Sequence, residues 1–190
     1  SAGDLRWAHA RALAYSRIGA LLKRQGELDE ALKNFRAALS VDQQLVREVP
    51  SNPIWQRDLS VCYEHIGDVL VQRRDYSEGV ANYSLALTIA QDLAKGDKHN
   101  TSFARDLSIT YEKIGGALSA LGDQVGALNN FQSSLAITER LAELQPKNPE
   151  TLGDLYNCYM NVGHIQREQQ NYPGALANYR MADGVLQALT

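Results

Sequence analysis

"RDLSVCYEHIGDVL" occupies residues 57–70, and "RDLSITYEKIGGAL" occupies residues 105–118. The two stretches are in register at an offset of 48, and the same offset extends in both directions. It carries Gly67 to Gly115 and Gly163, and back to Gly19, with no gap. Tyr15, Tyr63, Tyr111 and Tyr159 fall in one column; Ile18, Ile66, Ile114 and Val162 fall in another. Ala31, Gly79, Ala127 and Ala175 form a third column, and Phe35, Tyr83, Phe131 and Tyr179 a fourth. Asn34, Asn82, Asn130 and Asn178 are identical in every unit. A fixed period of this kind marks a repeat architecture, in which each unit buries its apolar face on its neighbour. The expectation is one domain over 1–190, with units at approximately 4–51, 52–99, 100–147 and 148–190.

Each unit splits into two helices. Leu59, Tyr63, Ile66 and Leu70 recur at helical spacing, and Val80, Tyr83, Leu87 and Leu93 make a second apolar stripe. A short break lies between them at "RRDYS" (73–77), where the first and third units carry Gly26 and Gly122. The longer turns are "VPSNP", "GDKHN" and "QPKNP". In two of them Asn52 and Asn148 precede Pro53 and Pro149, a helix start in which Asn caps a free backbone N–H and Pro needs none. Helices of close to twenty residues follow, roughly 30 Å long. No sustained two-residue alternation supports strands.

A glycine inside a helix costs about 1 kcal/mol relative to alanine. Four in one mid-helix column therefore need a reason, and close approach of the partner helix supplies it. The Ala/Gly column twelve residues on offers a matching small surface, with the aromatic columns filling the space beside the contact. The fold class is thus all-α, an α-solenoid of four helix-turn-helix repeats.

These columns resemble the tetratricopeptide repeat: an aromatic, a large apolar residue followed by Gly, then Ala, then Phe four residues on. Tyr15, Ile18-Gly19, Leu22, Ala31, Phe35 and Ala38 fill the pattern in the first unit, and Tyr111, Ile114-Gly115, Leu118, Ala127 and Phe131 in the third. The period departs from the family's usual length of about 34 residues. The helix-ending Pro is replaced by Gln43, Gln91, Glu139 and Gln187, so the second helix continues towards Pro50 or Pro146. The unit is similar to the long-helix variety of large bacterial multidomain proteins, where such arrays often adjoin a protein kinase or peptidase domain. The resemblance implies eight antiparallel helices in a right-handed superhelix.

It also implies a concave groove lined by the first helices, with contacts from positions one, two, five, eight and nine after the aromatic. In the first unit these are Ser16, Arg17, Ala20, Lys23 and Arg24; in the second, Glu64, His65, Asp68, Val71 and Gln72. Glu112, Lys113, Gly116, Ser119 and Ala120 follow in the third, then Met160, Asn161, His164, Arg167 and Glu168. Of these, the candidate site comprises Arg17, Lys23, Arg24, Glu64, His65, Asp68, Gln72, Glu112, Lys113, Asn161, His164 and Arg167. The Lys/Asn clamp with which some members hold a terminal carboxylate is absent. An extended segment with acidic residues facing Arg17, Lys23 and Arg24 fits the basic start of the groove. Charge reversal at Lys23 and Arg24 is expected to weaken partner capture and leave stability nearly unchanged.

Other functions are disfavoured. The net charge of −3 gives no general attraction to nucleic acid or an anionic membrane, and no apolar run is long enough to span a bilayer. The sequence offers no phosphate loop, nucleophile elbow or paired-cysteine metal motif, so neither catalysis nor a cofactor or metal is expected. His65 and Asp68 share a helical face, but scattered donors do not make a zinc site. Cys62 and Cys158 lie two units apart, too far for a disulfide, which agrees with a cytoplasmic setting. The start "SAGDLRWAHA" has no initiator Met, as expected of a fragment of a longer protein.

Three structural expectations remain. The Asn column, beside the core aromatics, is read as buried Asn satisfying backbone groups between units. Arg of one Arg-Asp pair is expected to meet Asp of the next unit. Asp183, Gln166 and Arg11 replace leucines at the outer faces, which points to a stack complete at four units. The function expected is a protein-interaction module for a peptide or partner domain. The alternative is a regulatory or substrate-recruiting domain of a bacterial signalling enzyme.

Overall fold

The computed structural model describes residues 2–189, with side chains described for 4–187. Among the described residues there are eight helices and no strand: α1 (Ala2–Gln25), α2 (Leu28–Glu48), α3 (Pro53–Gln72), α4 (Tyr76–Gly96), α5 (Thr101–Ala120), α6 (Gln124–Leu144), α7 (Pro149–Glu168) and α8 (Tyr172–Leu189). The second helix of each pair starts at Leu28, Tyr76, Gln124 and Tyr172, always in the same repeat position. Within each unit, short turns make consecutive helices antiparallel. The helices gather into two compact units, Ser1–Gly96 with α1–α4 and Asp97–Thr190 with α5–α8.

Helix starts follow local chemistry. Asn52 Oδ1 accepts from the N–H groups of Ile54 and Trp55, and Asn148 Oδ1 from those of Glu150 and Thr151. Asn100 does the same for Ser102 and Phe103 without a following proline. Helix ends use one left-handed residue: Gly26 at φ +84° and Gly122 at φ +86°, with Arg74 (68°) and Gln170 (62°) in the same column. Glycine enters this region without strain, whereas Arg74 and Gln170 carry a side-chain penalty.

In unit 1, α2 packs against both α1 and α3, and α3 packs on α4. Ala31, Phe35, Ile66, Val69 and Leu70 make one buried cluster, and Ala12, Val41 and Leu45 another. In unit 2, Ala127, Phe131, Val162 and Ile165 repeat the first of these. The glycine column sits where the edge of an aromatic ring presses on the helix. A Cβ on Gly19, Gly67, Gly115 or Gly163 would stand 2.8, 2.5, 2.8 or 2.7 Å from the ring of Phe35, Tyr83, Phe131 or Tyr179. A Cβ on Gly79 would stand 2.8 Å from Val71 Cγ2 and 3.4 Å from the Gly67 carbonyl oxygen. Close approach within each pair is thus the reason for the glycines, and the aromatic column is what approaches.

The residues in place of the helix-ending proline have a use. Gln43 Nε2 donates to Tyr63 Oη at 3.0 Å, and Tyr159 Oη donates to Glu139 at 2.7 Å. The prolonged second helix thereby reaches the tyrosine column of the following repeat.

The Asn column requires a correction. All four are half-buried rather than buried. Asn34, Asn82, Asn130 and Asn178 each donate to the carbonyl four residues earlier in their own helix, at 2.8–3.1 Å. These bonds lie within their own helix, and Asn178 also donates to Gln166 Oε1 on α7 at 2.9 Å.

Candidate binding face

Within each unit, polar pairs tie the first helix of one repeat to the first helix of the next. In unit 1, His9 on α1 meets Asp58 on α3 at 2.7 Å, and Lys23 on α1 meets Asp68 on α3 at 2.9 Å. In unit 2, Arg105 on α5 grips Asp154 on α7 through Nε at 2.6 Å and Nη2 at 3.3 Å, and also reaches Glu150 at 3.0 Å. His9 occupies the repeat position of Arg105, so both units place a nitrogen-bearing side chain against the same Asp column. The Arg-to-Asp contact between repeats therefore forms where Arg105 meets Asp154. The Asp154 hydrogen bond, with the negative charges of Asp154 and Glu150 added, pushes the Arg105 pKa up against the opposing effect of burial.

The candidate residues of unit 1 divide into engaged and free groups. Arg17, Arg24 and Gln72 are exposed. Lys23 is held by Asp68, which also accepts the Tyr83 hydroxyl at 2.9 Å. Burial together with that carboxylate raises the Tyr83 pKa, so the phenol stays protonated and donates. His65 stacks on Phe35 with ring centroids 4.8 Å apart, and its Nδ1 lies 4.0 Å from Asp68. Glu64 is half-buried. Lys23 thus joins α1 to α3 rather than projecting as a free cation, and reversing its charge would set two carboxylates face to face. The expectation of an unchanged stability on that reversal is revised accordingly.

In unit 2, Asn161 Nδ2 donates to Glu112 Oε1 at 2.9 Å, joining α7 to α5. Burial pushes the Glu112 carboxyl above its ordinary range, and the Asn161 bond partly offsets this. His164 and Arg167 are exposed and in contact at 3.1 Å, while Lys113 is half-buried.

One cleft in unit 1 escaped the sequence reading. It lies between α1 and α3 with α2 behind it, has a volume of about 230 Å3, and is lined by Leu13, Ser16, Arg17, Ala20, Asp42, Asp58, Val61 and His65. Asp42 is its least expected member. An Asp at 2% exposure on the apolar face of α2 could have been flagged from its column, where the other repeats carry Ala90, Thr138 and Leu186.

The tetratricopeptide repeat model matches residues 11–46. That span is the first helical pair from Arg11 onward, with Gly19, Ala31 and Phe35 at its centre. No curated protein sequence matches the chain. Several solved structures share its fold. BtubC from P. vanneervenii superposes at a TM-score of 0.73 with 18% identity, over 94% of this chain and 64% of that one. The apo form of RapI gives 0.73 with 13% identity, over 94% and 43%. Aspartyl phosphate phosphatase F from Bacillus subtilis gives 0.75 with 12% identity, over 94% and 41%. The chain spans less than two thirds of each. At these identities the likeness establishes an all-α helical-repeat fold. No described helix is long and apolar enough to cross a membrane, and no group of three or more His, Cys, Asp or Glu among the described residues is placed to hold a metal.

Proposed function

We propose that the chain is a non-catalytic protein-interaction module built from a long-helix form of the tetratricopeptide repeat. Its first helices present the binding face to a peptide or partner domain. The observation that carries this reading is the α1–α3 face of unit 1. It is braced by His9–Asp58 and Lys23–Asp68, and it leaves Arg17 exposed on a cleft and Arg24 exposed further along α1. A braced face loses little entropy on binding, and free guanidinium groups steer and orient acidic residues. Helices of 20 or 21 residues in α2–α7 support the long-helix assignment. Arg17 and Arg24 are the principal contacts. Gln72, Glu64 and His65 flank them, and Glu112, Lys113, Asn161, His164 and Arg167 make the corresponding surface of unit 2.

The test uses immobilised extended peptides with paired acidic residues. Binding should be saturable, weakened by salt, and lost on Arg17→Glu with Arg24→Glu while the thermal midpoint stays unchanged. Equal binding by wild type and variant, or none by wild type, ends the reading. A second role, as the recruiting arm of a larger bacterial cytoplasmic signalling protein, rests on the resemblance of the repeat to the long-helix arrays of such proteins. The full-length gene decides that point.

A further inference from the structure

Asp42 is buried to 2% exposure on α2, yet only one of its carboxylate oxygens is used. Oδ2 accepts the Cys62 thiol at 3.0 Å, a weak donor, and Oδ1 has no hydrogen-bond partner. An unpaired buried carboxylate oxygen costs stability, and packing does not require one here. Unit 2 fills the equivalent slot with Thr138, whose hydroxyl donates to the Ser134 carbonyl at 2.9 Å while the Cys158 thiol points to it at 3.6 Å. The neutral arrangement is complete; the Asp42 arrangement lacks a donor.

The missing donor has a place to come from. Asp42 forms part of the cleft between α1 and α3, and the volume of about 230 Å3 is several times the ~30 Å3 share of one water. Leu13, Ala20 and Val61 supply aliphatic walls. Asp58 adds negative charge, although its Oδ2 is taken by His9. His65 Nδ1, also in the lining residues, has no hydrogen-bond partner either. The described residues hold no three-ligand cluster for a metal. A site with an orphan carboxylate oxygen, a second carboxylate nearby and an apolar wall suits a cation that carries N–H donors on an alkyl stem.

We propose that this cleft binds an alkylammonium group, the Asp42 carboxylate turning its unpartnered, closed-off Oδ1 towards the cleft to accept an N–H while the methylenes lie along Leu13, Ala20 and Val61. The group is either the end of a lysine side chain or a free alkyl diamine. The inference deepens the reading of the α1–α3 face as a binding surface and rests on it only for the lysine source. A partner lysine entering here would set neighbouring acidic residues near Arg17, which lies on the same cleft.

Calorimetric titration of the 190-residue chain at neutral pH tests it. The probes are n-butylammonium, 1,4-diaminobutane and Nα-acetyl-lysine amide, with tetramethylammonium as a cation lacking N–H. The three donors should bind saturably, and tetramethylammonium at least about tenfold more weakly. Asp42→Asn and Asp42→Thr should each cost about tenfold or more in affinity, with helical circular dichroism retained. Asp42→Thr copies Thr138 of unit 2 and keeps the test valid if the Asn variant folds poorly. Tighter lysine amide points to a protein partner; tighter diamine points to a free amine. No saturable binding of any donor, or undiminished affinity in the folded Thr variant, overturns the proposal. Acidic-peptide capture, read on the same variants, separates this failure from failure of the wider reading.

Discussion

Gly67 lies so close beneath Tyr83 that an added Cβ would stand 2.5 Å from the ring edge, and the Tyr83 hydroxyl is anchored on Asp68 at 2.9 Å. The ring cannot swing away without losing that bond. Gly67→Ala should therefore destabilise by about 1–3 kcal/mol, even though alanine is the better helix former. Gly116, inside α5 with open space around it, is the control. Gly116→Ala should stabilise by about 0.5–1 kcal/mol. Urea unfolding of both variants checks the pair.

Asp42 predicts a pH-dependent cost. Burial raises its pKa, with the Cys62 bond opposing. The folded state thus holds the Asp42 proton to higher pH than the unfolded state does. This contribution is most favourable at low pH and declines as pH rises from the ordinary carboxylate range to the raised value. Asp42→Thr, which does not titrate there, should gain stability relative to wild type across that window. At neutral pH the gain should be about 1–3 kcal/mol. Denaturant midpoints of both proteins from pH 3 to neutral pH, about the carboxylate range and above, read the difference. A constant difference would deny the titration.

The Arg105–Asp154 contact uses two nitrogens of one guanidinium. Lysine cannot reproduce that fork. A double-mutant cycle on Arg105→Ala and Asp154→Ala should give a coupling of about 0.5–1 kcal/mol, part-exposed as the pair is, and Arg105→Lys should recover only part of it. Coupling near zero would reduce the pair to a surface contact.

The Asn residues separate by position. Asn52→Ala and Asn148→Ala each remove an acceptor for two free N–H groups at a helix start, and should each cost about 1 kcal/mol. Asn34→Ala and Asn82→Ala remove donors to carbonyls of their own helix, and should stay within about 0.5 kcal/mol. Thermal midpoints compared in parallel rank the four.

Much of this was legible in the chain. The spacing of Gly67, Tyr83 and Asn52 dictates helix, partner and cap, because each depends on neighbours within one hairpin. The Asn column misled, since being identical in every unit says nothing about which carbonyl a side chain meets. Lys23 needed the tertiary structure: its column gives a face, and Asp68, 45 residues away, decides whether the charge is free.

The sequence alone determined the all-α repeat, its helix starts and stops, and the small column that lets each pair close. Those features arise from local conformational preference and from periodicity, which a linear string carries in full. Tertiary structure alone decided that Lys23 and His9 are tied down, that Arg17 and Arg24 are not, and that Asp42 faces a cleft with one oxygen unmatched. Pairing and burial depend on distances between helices, and no spacing along the chain encodes them.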